Sequence, residues 1–383
     1  MIYNEKSSLF GDVIRIRVNE QTGKISKINH EPDIVKVESF TEKGLFYDVD
    51  MKNSTCTCMA YQKNPRKCCK HLESAFGIKT VKETGVSISL LKSAIQKAVR
   101  RCDVESATRC AKEFISLEKV DKKNSVELVR RLAVIVLEDV ILHPDYFKLI
   151  EMISRLSIRT NFLTEDDKDF LINFTAQLAQ AEVRDDFIHV IKVKYGHITY
   201  KDIESKLEYD EELLVKAIKH RASIGGMGGD ITMLNEYARV WSYRFIQNEI
   251  TVKDLKSFYK PTNYKYNDVG ILTSDYILKE SVDFHCSPLL RILIKKQKVI
   301  DLVKQYYPSD DVEAKLKDII WRMRSVVCYK KQLGVGRSLD PFLDYPHLTF
   351  PADTRETYKN IFNELKHEID NISVWFIKKQ LEK

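Results

Sequence analysis

Glycine and proline are scarce in this chain of 383 residues, at 13 and 9. That scarcity excludes a collagen-like, low-complexity or disordered polymer and leaves a globular one. No stretch supplies the roughly 18–20 apolar residues that a bilayer-spanning helix needs. The greasiest run, Leu132 to Leu142, is interrupted by Glu138 and Asp139, so no membrane partner is expected. Met1 to Phe10 carries no apolar run behind a basic flank, so neither a secretory signal nor a transit peptide is read there. Familiar catalytic spacings are missing as well. There is no G-x-x-x-x-G-K-S/T to cradle ATP phosphates, no H-x-E with a downstream C-x-x-C, no G-x-S-x-G and no H-E-x-x-H. These gaps point to a protein that is not an enzyme. Neither sign of charge dominates: 62 Lys and Arg stand against 55 Asp and Glu, for a net charge of +7. Such a balance permits a polyanionic partner without demanding one.

Eight cysteines are present, and without an export signal they belong to a reducing compartment, nucleus or cytoplasm. Their distribution is uneven. Cys56, Cys58, Cys68 and Cys69 fall within fourteen residues, whereas Cys102, Cys110, Cys286 and Cys328 lie alone.

The first eighty or so residues alternate in the manner of strands. Val13 to Val18 and Lys24 to Ile28 flank a turn at Asn19 to Gly23; Asp33 to Phe40 and Leu45 to Val49 flank Glu42-Lys43-Gly44. Beyond residue 85 the apolar period lengthens to three and four. Helices are predicted over Ser87–Arg101, Val104–Glu118 and Ser125–Leu142, with Asp103 and Ser125 at N-cap positions. Pro144 opens a fourth, and Thr164 to Asp167 reads as a capping box. Helical pattern then runs over Tyr200–His220, Ile231–Gln247, Pro288–Tyr306, Val312–Tyr329 and Thr354–Leu381. The expected fold class is mainly α with a small β-rich, zinc-binding N-terminal module. Three regions are expected: the module at 1–84, a helical bundle at 85–222 and a second mostly helical region at 223–383.

The cysteine cluster carries the sharpest chemistry. Residues i and i+2 of a strand point the same way, so Cys56 and Cys58 can present both sulfurs to one ion. A second pair, Cys69 with His71, can complete a tetrahedron from the start of a short helix. Cys68 stands close enough to His71 to substitute for Cys69. Four protein ligands leave no open position for water, which argues for a structural metal rather than a hydrolytic one.

The pattern C-x-C, spacer, C-x-H resembles the SWIM-type zinc finger over residues 33–77. The resemblance selects Cys69 over Cys68 and implies Zn2+ held by Cys56, Cys58, Cys69 and His71. SWIM modules bind nucleic acid or protein, and Lys63, Arg66, Lys67 and Lys70, with Lys52, surround the cysteines as candidate phosphate contacts.

A second resemblance covers residues 88–158. Lys92, Ile95, Ala98, Arg100-Arg101, Asp103-Val104-Glu105 and Ala107, followed by Arg130-Arg131-Leu132, Val134-Ile135 and Glu138-Asp139-Val140, are similar to the helical collar of clamp-loader-clan AAA+ ATPases of replication and recombination. That collar oligomerises, so the resemblance implies a homo-oligomer through residues 91–158, with the ATPase motor absent. Arg130 and Arg131 are expected beside Glu138 and Asp139, on neighbouring chains or helices, as architectural charges.

Weaker signals remain. Gly225 to Asp230 reads as a hinge, or alternatively as a phosphate-gripping nest, with Arg239 and Arg244 beyond it. In Asp283-Phe284-His285-Cys286 neighbouring side chains diverge, so a His-activated thiol is disfavoured and burial preferred. Lys256, Tyr259, Lys260, Tyr264, Lys265 and Tyr266, and further on Arg322, Arg324, Tyr329, Lys330, Lys331 and Arg337, mix cations with rings as single-strand binders do. The function expected from the sequence is therefore zinc-dependent nucleic-acid binding, DNA favoured over RNA, in replication, repair or recombination. The alternative is a protein-interaction adaptor or assembly scaffold that docks through the finger.

Overall fold

The computed structural model describes residues 2–6, 13–18, 25–27, 34–39, 42–50, 55–63, 71, 86–158, 161–185, 207–226, 228–333 and 352–381. For residues 2–27, 63, 284–288 and 352 it describes backbone only. The chain falls into two compact units, Met1–Lys82 and Glu83–Lys383. It is mainly helical, with the β-structure concentrated in the first unit. No helix among the described residues is long and apolar enough to cross a membrane.

The first unit holds two three-stranded antiparallel sheets. β1 (Ile2–Lys6), β2 (Val13–Val18) and β3 (Ile25–Lys27) make one; β4 (Ile34–Glu38), β5 (Phe46–Asp50) and β6 (Thr55–Cys56) make the other. The β4–β5 hairpin turns at Gly44, whose φ of +85° is comfortable only without a Cβ. The turn is tied by Ser39 N–H to the Leu45 carbonyl (2.7 Å) and Gly44 N–H to Glu38 Oε1 (2.8 Å). β6 pairs with β5, setting Cys56 opposite Val49, and α1 (Met59–Lys63) follows at once.

The second unit is built on α2 (Ile88–Arg100), capped by Ser87, whose hydroxyl accepts from Leu90 N–H at 3.2 Å. Leu90, Leu91, Ala94, Ile95, Ala98 and Val99 are all buried, and so are Ser93, Gln96, Lys97 and Arg100, so neighbours cover this helix on nearly every side. α3 (Val104–Ser116) is capped by Asp103 as its sequence suggests. α4 (Lys123–Asp139) begins earlier than expected. Ser125 is not its cap: it is fully buried in the first turn and its hydroxyl donates to the Lys122 carbonyl. α5 (Tyr146–Leu156) follows the His143-Pro144 break, and α6 (Glu165–Gln180) opens with a true capping box between Thr164 and Asp167.

Then come β7 (Val183–Arg184), α7 (Tyr209–Ser223), α8 (Gly228–Ile246) and α9 (Val252–Ser257). The expected boundary near 222 lies inside the α7–α8 pair, and one hydrophobic core runs from Val86 to Ile377 across it. The helical pattern at Pro288–Tyr306 is realised as two helices, α10 (Ser287–Leu293) and α11 (Gln297–Tyr306). α12 (Val312–Ile320) gives way to a wide π-type turn at Trp321–Ser325. β8 (Lys331–Gln332) pairs in parallel with β7, and α13 (Ala352–Leu381) closes the described chain.

Candidate metal centre

Cys56, Cys58 and His71 converge. One ligand atom from each lies within 4.8 Å of the other two, and all three residues are buried. The local chain explains why. Cys56 ends β6; Asp48 N–H donates to Thr57 Oγ1 (2.9 Å), Thr57 N–H donates to the Asp48 carbonyl (3.0 Å), and Cys58 precedes α1. This clip holds the two sulfurs on the inner side of the hairpin. Cys58 N–H approaches Cys56 Sγ at 3.5 Å and Tyr61 N–H approaches Cys58 Sγ at 3.4 Å. Such N–H donors stabilise sulfur as thiolate and orient it. The His71 ring packs on Tyr47, with centroids 4.6 Å apart, and burial lowers its pKa, favouring the neutral imidazole that metals take.

Two thiols and an imidazole are the donor set zinc prefers. With Zn–S bonds of about 2.3 Å, a tetrahedral ion sets its sulfurs roughly 3.8 Å apart, a spacing compatible with three ligand atoms that all lie within 4.8 Å of one another. Cys69, the fourth expected ligand, and its neighbour Cys68 lie outside the described residues, as do Arg66, Lys67 and Lys70. Lys63 is placed at the end of α1 by its backbone alone.

Around the site only Val49, Cys56 and Cys58 form a buried cluster among the described residues, with Val37, Tyr47 and Tyr61 packed against it. A buried cluster of that size contributes little hydrophobic stabilisation by itself, the circumstance in which a bound metal can supply the rest. Tyr47 and Tyr61, which complete this pocket, are additions to the sequence reading. The signal for Tyr47 was the alternation that turns it and Val49 of β5 to the same face.

The other basic candidates are largely engaged inside the second unit. Arg324 is buried, donating to Asp283 (2.9 and 3.0 Å), Asp370 (2.9 Å) and Ser373 (2.7 Å). Lys330 is fully buried and caps the carbonyl end of α6 through Leu178 (2.8 Å) and Ala181 (2.5 Å). Arg244 Nη1 donates to both carboxylate oxygens of Asp185 at 2.8 and 2.9 Å in the interior, and Arg239 holds Glu236. Lys265 pairs with Asp169, Arg322 with Asp318, and the buried Tyr259 hydroxyl donates to the Ile141 carbonyl. Tyr329 stays exposed, while Arg337 and the side chains of His285 and Cys286 lie outside the described residues.

Glu138 and Asp139 are not paired with Arg130 and Arg131. Their partner is Arg100 of α2, at 3.1 Å from Glu138 and 2.5 Å from Asp139, with Gln96 bridging both carboxylates. Arg131 instead donates to Gln96 Oε1 (2.7 Å), and Arg130 to the Gly225 carbonyl (3.0 Å).

No protein-family model matches the chain, and no curated protein or solved structure matches it either.

Proposed function

We propose that the chain is a non-enzymatic, zinc-dependent nucleic-acid-binding protein. Its first unit would be stapled by Zn2+ on Cys56, Cys58, Cys69 and His71. The observation that carries this reading is the convergence of Cys56, Cys58 and His71, buried, with only Val49 joining the two cysteines in the buried cluster among the described residues. The zinc supplies folding free energy here, ~10–16 kcal/mol for small modules of this type, and not catalysis.

Nucleic acid is favoured as partner by the charge around the cluster. From Met51 to His71 there are five cations, Lys52, Lys63, Arg66, Lys67 and Lys70, and no Asp or Glu. The near-neutral remainder of the chain supplies little long-range field, so phosphate affinity rests on this segment. DNA is the preferred form by the collar resemblance. If Lys63, Arg66, Lys67 and Lys70 meet phosphates, log K falls with log salt at a slope of about −3 to −4. Arg66→Glu with Lys67→Glu weakens all sequences alike. The assay is a mobility shift with single- and double-stranded DNA and RNA at several salt concentrations. Absence of binding at low salt removes this reading.

A second reading, a protein-docking adaptor, is favoured by Ile34, Phe46 and Met59. All three are apolar and more than half exposed on the same unit.

A further inference from the structure

A cavity of about 310 Å³ in the second unit is lined by Lys92 of α2, Arg130 and Arg131 of α4, and Arg221 in the last turn of α7. Glu127, Val134, Gly226 and Asp230 complete its wall, so four cations face two carboxylates. Arg221 is 3% exposed. Its Nη1 donates to the Gly225 carbonyl (2.8 Å) and its Nη2 to the Arg130 carbonyl (3.4 Å), while its Nε is buried with no hydrogen-bond partner. Arg131 Nε is buried without a partner in the same way. Buried guanidinium donors left without an acceptor are costly, and Arg131 and Arg221, which each carry one, both line this cavity, where an added anion would offset the cost.

Glu127 partly balances the site, holding Lys92 at 2.5 Å and Arg130 at 3.4 Å. Burial alone would raise its carboxyl, yet Lys92 and Arg130 keep it below the usual carboxylate range. Burial and the like charge of Arg130 lower the Arg221 guanidinium, a cost that an incoming anion relieves. The Gly225-Gly226 turn, with φ of +87° and +151°, leads into α8 and brings the start of that helix to the cavity wall through Asp230.

We propose that this cavity is a binding site for a small phosphomonoester, its phosphate gripped by Lys92, Arg130, Arg131 and Arg221. An excess of two positive charges matches the −1.5 to −2 of a phosphomonoester near pH 7, and guanidinium forks suit a tetrahedral oxyanion. The volume sits at the small end of ligand pockets, which fits a phosphate with a compact organic body and excludes a polymer strand. The site lies wholly in the second unit and does not depend on the zinc reading.

The test is calorimetric titration of the full chain with ribose 5-phosphate, inorganic phosphate, ribose and sodium chloride at matched ionic strength. Ribose 5-phosphate is expected to bind, ribose and chloride to give no heat, and zinc chelation to leave the affinity unchanged. Lys92→Gln and Arg131→Gln, both at partly exposed positions, should each weaken binding roughly tenfold or more, with melting temperature serving as the control for folding. Arg221→Gln should abolish binding where it folds. Binding of inorganic phosphate without ribose 5-phosphate would overturn the monoester assignment. Equal heats for all four titrants, or wild-type affinity in the Lys92 and Arg131 variants, would overturn the site.

Discussion

Arg100 is nearly buried, and an arginine in that position must be answered by charge. It is answered by Asp139, fully buried, and Glu138, with Lys97 and Arg100 both donating to the Ser325 carbonyl from the same helix. Burial, with the neighbouring Asp139 adding, pushes the Glu138 carboxyl up, and Asp139 is the closer partner of Arg100, at 2.5 Å against 3.1 Å. Asp139→Ala therefore leaves a buried guanidinium short of its closest partner and should cost roughly 3–5 kcal/mol in denaturant unfolding. A loss of under about 1 kcal/mol would contradict this account of the helical core. Sequence spacing brought the right acidic residues forward with the wrong basic ones. Arg130 and Arg131 lie closer along α4, but Arg100 is the one whose helix faces them.

Among elements, the break between α4 and α5 rests on His143. Its Nδ1 accepts from Asp145 N–H (2.9 Å), its Nε2 meets Gln177 Oε1 (3.0 Å), and its ring lies between Phe174 and Tyr259. Burial, against an opposing pull from Asp145 and Gln177, lowers its pKa to about 4 from the ordinary 6.5. Below 6.5 the unfolded chain takes up a proton that the folded chain refuses until about pH 4. Stability is thus lost as pH falls through that window, by about 3 kcal/mol for this group. His143→Gln should flatten that part of the stability–pH curve, measured by urea unfolding at pH 4 to 7; an unchanged slope would contradict the assignment.

Strand alternation, the Gly44 turn, and the caps at Asp103 and Thr164 were legible because each is decided within a few residues. What was not legible is decided across the fold. The predicted helix at Pro288–Tyr306 divides where Lys296 and Lys298 both reach Glu368 of α13. The one at Val312–Tyr329 widens at Trp321–Ser325, where Lys97 and Arg100 take the Ser325 carbonyl and Arg101 takes the Arg324 carbonyl. The convergence of Cys56, Cys58 and His71 was legible as a spacing. The cavity around Arg221 was not, since its cations come from three helices far apart in the chain.

At the scale of the whole molecule, the two units differ in what holds them. The second owns a continuous apolar core, whereas the described part of the first has a minimal one gathered around the cysteines. On the proposed reading, zinc removal should therefore spare the helices and abolish nucleic-acid binding. The most direct test is fluorescence anisotropy of a labelled DNA oligonucleotide with the full chain as purified, after zinc extraction and after zinc return, with far-ultraviolet dichroism of the same samples. The account predicts about one zinc per chain, at least tenfold weaker binding after extraction with helical dichroism retained, and recovery on reloading. Binding that is indifferent to zinc, or no binding in any of the three states, would contradict it.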